Sequence, residues 1–261
     1  MTWDRGTPAK FTGAAQSAAR KGYPRNTMSD FSAAFAMAAR LVMGLDPELV
    51  EIVSLSLYVS LFSVGLAALV GLPLGATLGM LRFRGRRALI VMLNALMGLP
   101  PVVVGLAVYM FLSRAGPLGE FGLLFTPTAM IVAQFILVVP IVAALARQII
   151  EDLHEEYDEH LRSLGAGALD SVATLLWDGR FRLLTAVLAG FGRAIAEVGA
   201  VLIVGGNILH HTRVMTTTIA LETSKGNLAL ALGLGMILIV IAAAVNAAAS
   251  VIADLAERPH G

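Results

Sequence analysis

Two ionisable residues stand four apart in an otherwise apolar run, Arg193 and Glu197 in "GFGRAIAEVGAVLIVGGNI", residues 190 to 208. That spacing sets them on one helix face, where they can pair. Charges at membrane depth are costly and normally face a bundle interior or a water-filled path. The pair therefore either lines a translocation route or fixes helix packing. The run ends in "GGN", whose glycines allow close helix approach or a backbone opening where it lines a cavity. Asn207 is followed by "ILHHTRVMTTT", where Thr212, Thr216, Thr217 and Thr218 offer hydroxyls and Arg213 a planar fork of donors. Such donors suit a tetrahedral oxyanion, and the same threonines suit helix capping.

A third concentration of polar groups is "EEYDEHLRSLGAGALDSVATLLWDGRFR", residues 155 to 182. Leu161 and Leu164 before "GAG", and Leu169, Val172, Leu175 and Leu176 after it, recur at helical spacing. This predicts two short amphipathic helices, broken where Gly165 and Gly167 permit a sharp turn. A polar connection of this length usually carries function, so the segment reads as a docking element for a soluble partner rather than a bare connector.

Enzyme chemistry finds little support. No Gly-x-x-x-x-Gly-Lys-Ser/Thr phosphate loop occurs, and the nearest lookalike, "ETSKG", lacks its spacing. The chain has no Cys, and apart from His210 and His211 its histidines are scattered. No nucleophile set, metal site or cofactor is expected, and a net charge of +1 points to no nucleic-acid partner.

The elements that must position these groups follow from composition. Apolar residues make up 57% of the 261 positions and charged ones 14%, against about 45–50% and about 25% in soluble domains. The chain is built for lipid. A membrane helix needs about 20 apolar residues, and five runs qualify: 52–81, 88–113, 121–146, 183–206 and 226–253. The segment "FSAAFAMAARLVMG", 31 to 44, is too short to cross and reads as part of an amphipathic interfacial helix over 28–50. The expected organisation is this helix, a transmembrane domain over 51–254 with the polar loop at 151–182, and a tail at 255–261.

Orientation follows from Lys and Arg, which collect in cytoplasmic loops. "RFRGRR", 82 to 87, holds four Arg and is placed inside. Alternation then puts the N-terminus and the loops 114–120 and 207–225 outside, and 147–182 and the tail inside. Residues 1–27 object, with five Lys or Arg and one Asp. They lack the apolar core of a signal peptide and have the composition of a disordered leader, which suggests a translation start at Met28.

"EHLRSLGAG" resembles the coupling loop of ABC importer permeases, Glu-Ala-Ala, three residues, then Gly. Glu159, His160 and Leu161 fall on the opening triplet and Gly165 on the Gly; Leu176-Trp177-Asp178 stands where that family has Leu-Pro. "LPPVVVGLAVYMFLSRAGPLG", 99 to 119, and "GFGRAIAEVGAVLIVGGNI" resemble the molybdate, sulfate and tungstate permeases. "TRVMTTTIALETSKGNLALALGLG", 212 to 235, is most similar to the tungstate type.

The resemblance implies an all-α integral membrane protein, five transmembrane helices plus the interfacial one, in the type I ABC importer permease (MetI-like) architecture. It implies a homodimer in the inner membrane, a cytoplasmic ABC ATPase dimer, and a periplasmic or lipid-anchored oxyanion-binding protein. It also implies an ATPase-coupling role for Glu159, His160, Leu161, Leu164, Gly165 and Gly167. Arg193, Glu197, Asn207, Arg213, Thr216 and Thr217 are the candidates for the pathway or the bundle interior. Tungstate is the expected cargo, with molybdate or sulfate as alternatives of the same architecture. A secondary transporter, the rival class, would show inverted repeats with broken helices in both halves, which five unequal spans do not suggest.

Overall fold

The computed structural model describes residues 27–163 and 167–257. The expected leader, save Thr27, and residues 258–261 lie outside them. Among the described residues every regular element is helical: α1 (Thr27–Met43), α2 (Pro47–Met80), α3 (Arg86–Met97), α4 (Pro101–Leu112), α5 (Pro127–Ser163), α6 (Ala168–Asp178), α7 (Arg180–Ile195), α8 (Gly199–Gly205), α9 (Met215–Lys225) and α10 (Leu228–Glu257), with a 3-10 turn at Gly119–Phe121.

The first span begins earlier than its apolar run. Asp46 Oδ1 accepts hydrogen bonds from the N–H groups of Glu48 and Leu49 at 3.0 and 3.4 Å, and Pro47 occupies the first helical position. This is a strong N-terminal signal, so residues 47–50 belong to α2 rather than to the interfacial helix. α1 ends at Met43, and Leu45 turns the chain with a φ of 48°. α1 packs on α10, with Ala38 fully buried and its backbone O near Gly233.

α2 and α5 form the spine. Gly71, Gly75 and Gly79 recur every fourth residue, on one face. That face lies directly on α5: a Cβ added at Gly71 would meet Val142 at 3.1 Å, at Gly75 the Ala143 carbonyl at 2.4 Å, and at Gly79 the Arg147 carbonyl at 2.9 Å. Small residues permit this backbone approach, which supplies the dispersion energy that holds helices together in lipid. Because the contacts advance along both helices in the same sense, α2 and α5 run parallel. The "RFRGRR" loop and the polar segment after residue 147 are therefore at one end of the molecule.

The chain returns between them through α3 and α4, bent by 98° at Gly98-Leu99-Pro100. α3 packs beside Leu78 and Ala143 through Leu93, and α4 packs beside Val59, Met130 and Val204 at the other end. The fourth run is likewise broken, α7 and α8 being bent by 59°. Among the described residues three helices are long and apolar enough to cross a membrane alone, or up to five spans result if each bent pair counts as one. The second and fourth of the expected spans are thus each a bent pair of helices. Pro100 and Pro101 mark the first break, whereas Pro73 and Pro140 sit inside continuous helices.

α5 brings a second correction. It runs 37 residues without interruption, so the first helix of the polar loop is the continuation of the third span. Charge ends the hydrocarbon-facing stretch at Arg147 but does not end the helix, since no Gly or Pro intervenes between Pro140 and Gly165. Its start moves to Pro127, because Gly116, Gly119 and Gly122 fold the preceding residues into tight turns.

Candidate functional site: a broken fourth span and a clamped polar loop

A helix break inside a bundle exposes backbone groups that lipid cannot satisfy. At Ala196-Glu197-Val198 side chains from two other helices and from Glu197 itself satisfy them. The Ala194 carbonyl accepts from Gln134 Nε2 on α5 at 3.0 Å and from the Glu197 N–H at 3.1 Å. The Glu197 carbonyl accepts from the Thr216 hydroxyl on α9 at 2.8 Å. The Glu197 carboxylate does two further jobs: Oε1 accepts from the Ala200 N–H at 3.2 Å, capping α8, and Oε2 accepts from Arg193 Nη1 at 2.9 Å.

The charge pair expected from sequence therefore forms, across the end of α7 rather than along an unbroken helix. Its two halves differ in exposure, Glu197 at 5% and Arg193 at 41%. Val138 and Val142 of α5 pack with Ala194 and Ile195, which puts the pair midway along the bundle. The guanidinium is the open side of this node and the carboxylate the closed side.

Of the threonines, only Thr216 reaches the break. Thr212 donates to the Gly205 carbonyl at 2.5 Å and accepts from the Ile208 N–H at 3.0 Å. Thr218 donates to the Val214 carbonyl at 2.7 Å. Thr217 accepts from the Val214 N–H at 3.3 Å and lies 3.0 Å from Asn207 Oδ1. These hydroxyls cap and close the turn between α8 and α9, in which Gly206 and Asn207 both adopt positive φ. The start of α9 is pinned to α2, where Ser56 Oγ accepts from the Met215 N–H at 2.8 Å.

Arg213 stands apart from the break. Its Nη1 donates to Glu48 at 3.3 Å, and nearby His210 Nδ1 lies 2.8 Å from Glu51. Both contacts tie the turn to the first residues of α2. At the far end of α9 the Glu222 carboxylate accepts from Lys225 Nζ and Asn227 Nδ2, each at 2.9 Å. The Lys225 bond chiefly, and then the Asn227 bond, hold its carboxyl below the usual carboxylate range, against the opposing effect of burial.

At the opposite end the polar loop is clamped to the first loop. Arg86 Nε donates to the Leu78 carbonyl at 2.7 Å, closing the C-terminus of α2, and its Nη2 donates to Glu151 of α5 at 2.6 Å. Arg147 binds the same carboxylate from one turn away. Arg182 of α7 reaches Asp152 at 3.2 Å. α6 folds back so that Leu175 is buried with Ile150, Leu153 and Leu183. Gly179 ends it, and a Cβ there would meet Leu153 at 2.7 Å.

Trp177 projects from α6, 69% exposed, with the Arg180 guanidinium 4.9 Å from its ring centroid. Of the expected coupling residues, Glu159, His160 and Leu161 fall in the last turns of α5 and Gly167 precedes α6. Leu164 and Gly165 lie outside the described residues. No cluster of metal-ligating side chains occurs among the described residues.

Sequence reasoning passed over Gln134, Ser56, Arg86 and Glu151. Gln134 did leave a signal, as the lone polar side chain deep in the third apolar run.

Residues 71–258 match the family described as binding-protein-dependent transport system inner membrane component. The chain is 42% identical over 213 residues to the tungstate uptake system permease protein of Peptoclostridium acidaminophilum, covering 82% of this chain and 93% of that one. It is 41% identical over 195 residues to the protein of the same name from Campylobacter jejuni, covering 75% and 82%. A probable anion ABC transporter permease protein of Haloferax volcanii is 42% identical over 185 residues, covering 69% and 80%. Permeases named for sulfate and molybdenum are more distant, at 28% identity. This multi-pass chain, with its broken spans and long polar loop, belongs to the family of inner-membrane components of binding-protein-dependent transport systems.

Proposed function

We propose that this chain is the permease subunit of an ATP-driven tungstate importer. The observation that carries the reading is the similarity to two permeases named for tungstate, which extends over most of both chains, while those named for sulfate and molybdenum stand further off. As a subunit of an ABC importer it works with an ATPase and a binding protein and does not itself supply the catalysis.

Two copies form the path, and each contributes the exposed guanidinium of Arg193 at mid-bundle. A charge at that depth faces a bundle interior or a water-filled path, and a cation beside the path favours a dianion in transit. Glu197 keeps that guanidinium in place and Thr216 keeps Glu197 in place. Asn207, Thr217 and Arg213 shape the turn at the outer mouth. The N-terminus and the α8–α9 turn face outward; the arginine loop, α6 and the C-terminus face the cytoplasm.

The ATPase docks on residues 151–182, around Glu159, His160, Leu161, Leu164, Gly165 and Gly167, with Trp177 alongside. Docking can drive transport only if it favours one conformation over the other. The spine supports a mechanical route: α5 carries the docking segment directly into the bundle and takes α2 with it. The two breaks are then the places where the bundle bends.

The test is uptake of labelled tungstate at nanomolar concentration in cells with and without this chain, with molybdate and sulfate as competitors. Loss of uptake on deletion, insensitive to excess sulfate, is the expected result. Unchanged tungstate uptake with reduced molybdate or sulfate uptake would refute the cargo and leave the architecture. No change in any would refute the function.

A further inference from the structure

Beside the break lies a small cavity of ≈ 10 Å³, lined by Ser56, Val59, Ser60, Gln134, Ile195, Glu197, Val214 and Thr216. Four separate stretches meet there: α2, α5, the break itself and the start of α9. The polar members, Ser56, Ser60, Gln134, Glu197 and Thr216, are all more than nine-tenths buried. Ser56 bonds the Ile52 carbonyl and the Met215 N–H, while Glu197 and Thr216 serve the break. Gln134 is half used: its Nε2 holds the Ala194 carbonyl, and its Oε1 is buried with no hydrogen-bond partner among the described residues.

A buried amide oxygen without a donor carries an uncompensated desolvation cost, and proteins rarely leave one so. The volume is at the lower bound for a single water, about one probe sphere. The lining also offers Ser60, Glu197 and Thr216 as further partners, as a buried water requires. A cation is not called for, since Arg193 already neutralises the Glu197 carboxylate.

We propose that this cavity binds one water molecule, which donates to Gln134 Oε1 and is shared with Ser60 and the break. The water gives the fourth span a hydrogen-bond partner that reorients without any side chain moving. Gln134 thereby stays satisfied as the bend between α7 and α8 changes during transport. Gln134 is a positioning residue for the break, and Ser60 a wall of the water site. The assignment stands whichever oxyanion is carried.

A sign test separates a water site from a dry void, using the full chain in the assembled transporter. Ser60→Thr places a methyl group in the cavity. If water is there, the methyl displaces it, strands Oε1, and lowers the thermal midpoint by roughly 2–4 °C. In a Gln134→Met background, where no orphan acceptor exists, the same substitution is neutral or stabilising. A rise in the midpoint for Ser60→Thr in the native background would overturn the proposal, because filling a dry void stabilises. An equal fall in both backgrounds would overturn it as simple overpacking. Should Gln134→Met fail to assemble, a high-resolution map decides: a water-sized peak within hydrogen-bond reach of Gln134 supports the site, and an empty cavity refutes it.

Discussion

Gly75→Ala tests the α2–α5 spine most directly. A Cβ at that position lies 2.4 Å from the Ala143 carbonyl oxygen, 2.7 Å from Ala146 Cβ and 2.9 Å from the Arg147 nitrogen. Two of these are backbone atoms of a long continuous helix and cannot swing away. Restoring ordinary contact requires the helices to part by about 1 Å, and overpacking of this kind costs about 1–3 kcal/mol. Against that, Ala stabilises a helix interior over Gly by about 0.5–1 kcal/mol.

With backbone on the receiving side the clash belongs at the upper end of its range, so a net loss of about 1–2 kcal/mol is expected. At about 2–4 °C per kcal/mol for a chain of this size, the thermal midpoint in detergent falls by about 2–8 °C. Gly65 is the control. It lies on the same helix with nothing within 4 Å of the added Cβ, so Gly65→Ala leaves the midpoint unchanged or raises it. Thermal unfolding of the two purified variants is the assay. If Gly75→Ala is as stable as Gly65→Ala, the close approach is not what joins the first and third spans.

Three further outcomes follow from the geometry. Glu197→Ala removes the cap of α8 and the partner of Arg193, with an expected loss of about 1.5–3 kcal/mol, whereas Glu197→Gln keeps an oxygen for the Ala200 N–H and loses less; equal melting of the two variants would show that the carboxylate oxygen does not hold the break. Arg86→Ala leaves Glu151 to Arg147 alone and uncaps α2, so ATP-driven uptake should fall by more than the small change in melting temperature accounts for, and normal uptake would dismiss the clamp as a transmission element. Glu222 has a lowered folded pKa, so its contribution to stability is full above the ordinary carboxylate range and is lost as pH falls through the lowered value; Glu222→Gln should flatten the melting profile in that acid window, and an unchanged acid slope would refute the assignment.

Composition and the spacing of charges carried the architecture because lipid imposes a one-dimensional constraint: a span must be long and apolar, and that can be read off a string. The same reasoning located the Arg193–Glu197 pair, since four residues of separation fix a shared helix face. It went wrong where local order competed with chemistry. Residues 47–50 joined α2 because Asp46 and Pro47 start a helix regardless of where the membrane begins. The loop's first helix merged with the third span because polarity does not terminate a helix.

The breaks were hidden for a different reason. Gly98-Leu99-Pro100 offered a local signal, but Ala196-Glu197-Val198 contains no Gly or Pro at all. Its interruption is stable only because Gln134, 60 residues away in sequence from the carbonyl it satisfies, and Thr216 arrive from other helices. The sequence by itself determined a helical membrane protein, its apolar runs and the placing of its charges. The tertiary structure alone decided where the fourth span bends, because unsatisfied backbone in lipid is tolerated only where distant side chains converge to bond it.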